Sequence, residues 1–453
     1  MNLPNYFLAD LPENTALTPT VISDACQTLK KNRENYLATR TTQNLIRVIS
    51  SVAKNWLEPD DAFRQETLRL GPAATGFTRE TLATGLDAFF QQITAENLQA
   101  LMLQEFGEGR RLDTLSATAA EQKMNRASFA RGPELLTHIT GGCIPNATLT
   151  SIIFGFLTRS AQFVKCASGT AFVPRLFAHS IYEAEPKLGA CLEIAEWKGG
   201  NESLETALYA ETNTLTATGS DETLETIRRR LPPKVRFIGF GHRLSFAFVT
   251  AEVLSGMSPQ RIISRAAHDI VAWNQLGCLS PHVIYVETGG KISPEQFAEM
   301  LAAELDRLEQ QQPRGILSTE EAAAIAYRRS FYEVRAAHSL DTRLWSSHGS
   351  TAWTVVFEND PRFQISCLNR FIYVKAVGNL KQALEGADAV RAKISTVGIA
   401  ATENRAQEIA NDLAHWGATR ICPLGQMQNP PLLWRHDGRP SLGDLVTWTD
   451  WEL

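Results

Sequence analysis

GGCIPNATLTSIIFGFLTRSAQFVKCASGT, residues 141–170, sets how the rest of the chain is read. Pro145 fixes the chain direction, Asn146 follows at a helix start, and Ala147–Ser160 carries apolar residues at helical spacing. Gln162–Lys165 (QFVK) is a short buried strand ending in a lysine. The same rhythm continues: helix at Pro174–Ala184, strand at Cys191–Trp197, helix at Glu202–Ala210, strand at Thr212–Thr218, helix at Glu222–Arg230, strand at Lys234–Ile238. Alternation at this spacing predicts an α/β fold, a doubly wound parallel sheet with helices on both faces. Such sheets bind ligands at the carboxyl ends of their strands.

Upstream, residues 1–130 read as mainly helical over Thr18–Leu37, Thr41–Trp56 and Thr78–Phe106, with a break at Gly71-Pro72. Downstream, 251–430 reads as a second α/β domain, with Pro294–Gln310 its clearest helix. Residues 131–250 then form the dinucleotide domain. Residues 431–453, rich in tryptophan, form an extended arm or closing strand at an oligomer contact, so a homo-oligomer is expected.

The bulk composition excludes several classes. With 453 residues, 44% of them hydrophobic and 21% charged, the chain is globular. A net charge of −5 provides no basic field for nucleic acid. No apolar run reaches the ~20 residues of a membrane helix. The opening MNLPNYFLADLPEN lacks the basic and apolar regions of a secretion signal. Seven scattered cysteines, with no CxxC pair and no Cys/His cluster at zinc spacing, disfavour disulfides and metal and point to a reduced cytoplasmic protein.

Within this frame the chemistry-bearing residues are few. Cys278, in WNQLGCLSP (273–281), follows a glycine that lets backbone and substrate come close. A thiolate there can accept an acyl group, although cysteines are commonly buried and inert. Asn146 is either a helix N-cap or an amide donor to an oxyanion. Lys165 either lies in solvent or reaches a ribose or phosphate. Thr218-Gly219-Ser220 opens a helix, as an ordinary cap or as a phosphate cradle. GFGHRLS (239–245) has Gly239 and Gly241 at a strand end, and His242 either serves as acid/base or is structural. Phe154, Phe156, Phe246 and Phe248 are either core or the lining of an acyl tunnel.

Taken in order, IPN (144–146), FVK (163–165), TGS (218–220), GFGHR (239–243) and NQLGCLSP (274–281) resemble the motifs of the aldehyde dehydrogenase superfamily. NQLGCLSP, GFGHRLS and the ending GDLVTWTDWE (443–452) are more closely similar to LuxC-type acyl-CoA reductases, the fatty-acid reductase component known from bacterial luminescence. The resemblance covers residues 131–453. It implies an aldehyde-dehydrogenase-like fold and reduction of an acyl-CoA or acyl-carrier thioester to an aldehyde by NADPH. It implies Cys278 as the acyl-accepting nucleophile and Asn146, with the Cys278 N–H, as the oxyanion hole. Lys165 would hold the adenosine ribose, Gly219 and Ser220 the pyrophosphate, and His242 would act as acid/base partner, with His282 standing where an amide-type residue is expected. An acyl-activating or acyl-transferring partner protein is also implied. Three departures matter. Gly239-Phe240-Gly241-His242 lacks the glutamate that serves as hydrolytic base in oxidative relatives, which favours reduction. Ser168 replaces the glutamate that disfavours a 2′-phosphate, so NADPH is accepted. No glutamate for the nicotinamide ribose falls within Ser366–Asn369. The competing expectations are an oxidative aldehyde dehydrogenase and a non-redox acyl-holding or scaffold subunit.

Overall fold

The computed structural model describes residues 3–12, 15–256 and 258–452. It contains two compact units. The first comprises Met1–Thr75, Leu86–Gly241 and Pro431–Leu453; the second comprises Gly76–Gly85 and His242–Pro430.

In the first unit β1 (Arg126–Arg131) precedes five strands, β2 (Leu135–Thr140), β3 (Ala161–Cys166), β4 (Leu192–Glu196), β5 (Thr214–Thr218) and β6 (Arg236–Phe240). These five form one wholly parallel sheet in the order β4-β3-β2-β5-β6. All six residues of β3 are buried, as a sheet covered on both faces requires. Phe163 points into a core shared with Leu29, Leu204 and Leu208, and its neighbour Val164 into one shared with Phe156, Leu176 and Phe177. The expected doubly wound α/β architecture is present; β3, β4, β5 and β6 lie within a few residues of their expected positions, while the central strand β2 was not foreseen.

The N-terminal helices are Pro19–Tyr36, Thr42–Leu57, Ala62–Thr75, Arg79–Phe90 and Ala95–Phe106. Thr18, Thr41 and Thr94 each accept a backbone N–H as N-caps. Two expectations are corrected here. Gly71-Pro72 does not break the chain: Pro72 lies in the last turn of Ala62–Thr75, and the turn comes at Gly76, whose φ of 77° is left-handed. The run expected over Thr78–Phe106 is two helices, because Thr94 caps a new one.

The N-terminal segment is fastened to the edge strand β4. Half-buried Glu193 accepts N–H bonds from Leu8 (2.7 Å) and Ile194 (3.0 Å), while Asp10 bonds the His179 imidazole at 2.9 Å. The C-terminal strand, Thr447–Glu452, pairs antiparallel with β1, from Arg126↔Glu452 to Arg131↔Thr447. The extended arm is therefore a strand of the first unit, with Trp448 packed edge-on against Phe106.

The second unit holds β7 (Leu244–Val249), β8 (Pro281–Glu287), β9 (Thr342–Ser346), β10 (Thr354–Glu358), β11 (Phe371–Val377), β12 (Ile394–Ala400) and β13 (Arg420–Pro423). Their order is β13-β12-β7-β8-β11-β10-β9, parallel except for the edge strand β9. β7 belongs to this sheet, so the first sheet's chain ends at Gly241 rather than at 250. Along β8, Val283 and Tyr285 enter one core while Ile284 and Val286 enter the other, the period-two alternation of a sheet between two helical layers. Residues 76–85 join this unit because Phe77 packs edge-on against Trp273, and Gly85 leaves room for the same indole. Among the described residues no helix is long and apolar enough to cross a membrane.

Burial, with Asp10 adding to it, raises the Glu193 carboxyl to about 8 despite its two N–H bonds. The folded chain therefore keeps a proton that the unfolded chain loses from about pH 4.5 upward, and stability falls as pH rises toward 8. Glu193→Gln keeps the shared acceptor oxygen and should flatten that fall, as urea unfolding at pH 5 and pH 8 would show.

Candidate active site

In the first unit the strand order reverses between β2 and β5, the position where open parallel sheets take a ligand. Gly141 follows β2 there, and a Cβ on it would lie 2.6 Å from the Thr218 carbonyl oxygen. Only glycine lets these two strand ends come together. The Gly219 N–H donates to the Phe240 carbonyl at 3.2 Å. Ser220 is the N-cap of Asp221–Arg230: its hydroxyl accepts the Thr223 N–H at 3.2 Å. The capping role is thus real, and it leaves that helix's first turn at the strand ends.

Lys165, at the carboxyl end of β3, is 4% exposed and lies over the Trp197 ring, 5.7 Å from its centroid. Burial lowers its pKa, with Glu205 and Glu196 pulling the other way. Ser168 is exposed in the following turn. The neighbouring carboxylate, Glu196, is engaged by the N–H groups of Gly169 (2.8 Å) and Ala171 (3.1 Å). At the end of β6 the Gly239 carbonyl accepts from Arg439 at 2.6 Å, and the Arg439 guanidinium and the His436 ring both lie against Phe240. A Cβ on Gly241 would meet the Asp221 carboxylate. Close-packed glycine strand ends, a helix N-terminus and a strand-end lysine on one sheet edge fit a dinucleotide.

In the second unit Cys278 is exposed, at the second position of the turn Gly277–Ser280, which the Ser280 N–H closes onto the Gly277 carbonyl at 2.9 Å. Parallel register pairs Ser245 with Pro281, and His242 and Cys278 each lie three residues before that pair, in the segments that lead into β7 and β8. Ser245 ties the two together: its hydroxyl donates to the Cys278 carbonyl at 2.8 Å and accepts the Thr396 N–H at 3.2 Å.

The approach to Cys278 is strained. Trp273, Asn274 and Gln275 all have left-handed φ, between 51° and 65°, and so do Leu368, Asn369 and Arg370, between 57° and 64°. Non-glycine residues occupy this region only where surrounding contacts force them. Those contacts are visible. Buried Arg370 donates twice to the Asn274 side-chain oxygen (3.2 and 2.9 Å), once to Glu309 (2.6 Å) and once to the Gln312 carbonyl (2.9 Å). Gln275 donates to the carbonyls of Pro281 (2.8 Å) and Phe371 (2.9 Å). The stretch expected to lack a ribose glutamate is this second left-handed run, where Asn369 instead meets Glu321 at 3.3 Å.

Desolvation separates the seven thiols. It pushes Cys26, Cys166, Cys191 and Cys422 up to about 12 and Cys367 to about 11, leaving them protonated near neutral pH. Cys143 and Cys278 are exposed. His282 is buried; burial and then the charge of His242 lower it to about 4, and its Nδ1 accepts the Ser366 N–H at 3.1 Å. Asn146 is the first residue of its helix and Pro145 the N-cap, so Asn146 is not itself the cap. Phe156, Phe246 and Phe248 are fully buried and divided between two cores, and Phe154 packs on the first of these, so the four phenylalanines do not form one tunnel. Sequence reading missed Arg370 and Gln428, which lie in no motif, and gave no role to Gln275 and Ser245, although NQLGCLSP and GFGHRLS contain them. Removing Arg370 strips Asn274 and Glu309 of a buried cation. Arg370→Ala should cost about 3–5 kcal/mol in urea unfolding and raise the alkylation rate of Gly277–Ser280 by loosening the turn.

The chain is similar to known proteins at two levels. The long-chain acyl-protein thioester reductase of Aliivibrio fischeri is 24% identical over 70% of this chain, and that of Photorhabdus laumondii 25% over 72%. The matched parts span 63% and 65% of those relatives, just under two thirds of their length. The reductase of Photorhabdus luminescens is 22% identical over 90% of this chain and 82% of its own. Among solved structures, a bifunctional proline utilization A protein shares the fold at TM-score 0.73 and 16% identity, over 98% of this chain and 45% of its own. The NAD-dependent benzaldehyde dehydrogenase of Corynebacterium glutamicum does so at 0.70 and 12%, over 96% and 91%. The fold is therefore aldehyde-dehydrogenase-like. A family model described as acyl-CoA reductase (LuxC) matches residues 37–448, and the chain belongs to that family.

Proposed function

We propose that this protein reduces an acyl thioester to an aldehyde through an acyl-enzyme on Cys278, with NADPH as reductant. The observation that carries the reading is an exposed thiol at the head of a buried parallel strand, on a turn whose approach is strained and pinned. The relatives' names favour a protein-borne acyl donor, with acyl-CoA as the simpler substitute.

In this reading His242 takes the Cys278 proton, and the sulfur attacks the thioester carbonyl. The Asn146 amide donates to the oxyanion. As the C–S bond to the carrier breaks, His242 returns the proton to the departing thiol. The Cys278 thioester then persists, because Gly239–His242 offers no carboxylate to activate water. NADPH, when bound, supplies hydride to the acyl carbonyl. His242 and the Asn146 amide hold the resulting oxygen until Cys278 is expelled as thiolate and the aldehyde leaves. Lys165, Gly219, Ser220, Gly239 and Gly241 are the residues that would hold the dinucleotide. Neutral Ser168 tolerates the 2′-phosphate, since Glu196 nearby is engaged by backbone N–H groups.

Incubation with hexadecanoyl-CoA without NADPH should leave the acyl mass on the Cys278 peptide by mass spectrometry. An adduct on Cys143, or none, overturns the reading. Asn146→Ala should slow aldehyde formation about 100-fold or more, the usual loss for one oxyanion donor. Ser168→Glu should raise the KM for NADPH about tenfold relative to NADH, through repulsion of the 2′-phosphate.

A further inference from the structure

Gly277 raises a question that backbone conformation does not answer. Its φ is not among the left-handed values, so an alanine would suffer no conformational penalty there. What a side chain there would meet is Gln428: a Cβ on Gly277 would lie 2.7 Å from Gln428 Oε1 and 2.9 Å from Nε2, so the carboxamide would have to leave its place. The carboxamide turns its oxygen and nitrogen edge toward the Gly277 Cα, with its carbon farther off at 3.2 Å from the same Cβ position. The same Nε2 donates to the hydroxyl of fully buried Ser280, three residues on. One side chain thus touches both ends of the turn that carries Cys278.

Gln428 is itself held. The preceding loop leaves β13, and buried Asp269 accepts N–H bonds from Gly425 (2.5 Å) and Met427 (2.9 Å). Arg420, 7% exposed, donates to the carbonyls of Met427 (2.6 Å) and Gln426 (2.8 Å). An acid and a base fix the backbone of 425–427 from opposite polarity. At Gly425, whose φ is 90°, the chain also packs on the Arg265 side chain. The loop backbone is held by Asp269 and Arg420 and not by the Gln428 side chain, whose contacts are with the thiol turn. What the site uses is a polar group that can reach the glycine and donate to a buried hydroxyl.

We propose that Gln428 is a positioning residue for the Cys278 nucleophile. Its carboxamide fixes the Gly277–Ser280 turn, and Gly277 is glycine to admit it. This rests on the reading of Cys278 as the acyl acceptor. The substrate still binds when Gln428 is lost, but the sulfur no longer presents itself in the attacking geometry.

The test is a double-mutant cycle on the full chain with hexadecanoyl-CoA, reading the acylation rate of Cys278 by peptide mass spectrometry together with kcat, KM and the melting midpoint. Gln428→Ala and Gly277→Ala should each lower acylation and kcat at least tenfold, with KM within threefold and the melting midpoint little changed. The double variant should be no slower than either single one, because the space vacated by Gln428 accepts the new methyl. Additive losses, or wild-type acylation by Gln428→Ala, overturn the proposal. If one variant fails to fold, coupling is read from the other paired with Gln428→Met, which fills the space without the bond to Ser280. In that case wild-type acylation by Gln428→Met overturns it. Cys278→Ser is run in parallel: an acyl adduct that survives on another residue discards the nucleophile assignment instead, whatever Gln428 does.

Discussion

The hydroxyl of Ser245 is the point on which the candidate site depends. The ladder is irregular on both sides of it, at Ser245/Phe246 against β8 and within Ile394–Val397 against β7. A parallel sheet that loses register there leaves backbone groups unpaired, and buried unpaired groups are costly. Ser245 fills the gap by accepting from Thr396 and donating to Cys278. One small side chain thereby joins three neighbouring strands to the thiol turn. At this irregularity an exposed cysteine stands just ahead of a fully buried strand.

Around this pivot the second unit concentrates buried charge. Arg370, Glu309, Asp269 and Arg420 serve backbone conformations that sheet and helix would not adopt unaided. Burial keeps the Asp269 carboxyl raised to about 7, while it lowers Arg370 only to about 10, still charged near neutral pH. Such groups are poor stabilisers compared with well-packed apolar residues, and their value lies in specifying one geometry. Here that geometry is two left-handed triplets tied by Arg370 and a loop that carries Gln428. The first unit manages its strand ends with little buried charge, using glycine contacts and helix caps. The contrast fits the tasks proposed for them: a dinucleotide is met by backbone N–H groups, whereas a nucleophile must be aimed.

Much was legible in the sequence. The parallel sheet could be read from its strand–helix alternation, with β3, buried at all six positions, as its plainest strand. The five motifs mark strand ends, where glycine, lysine and cysteine are conspicuous against that background. The same reading failed at Gly71-Pro72, where the helix runs on to Thr75 although Pro72 cannot donate to the carbonyl one turn back. It also treated the Phe154–Phe156 and Phe246–Phe248 pairs alike, although they belong to separate cores.

The sequence by itself determined the elements, the order of the strand-end motifs and which residue types could carry acyl chemistry, because periodicity and side-chain chemistry are local properties. Only the tertiary structure decided which cysteines can react and why Gly277 must be glycine. Desolvation is set by what packs around a thiol, and the space denied to a methyl group is set by Gln428, 151 residues further along the chain. Both depend on distances between parts of the chain that no local pattern encodes.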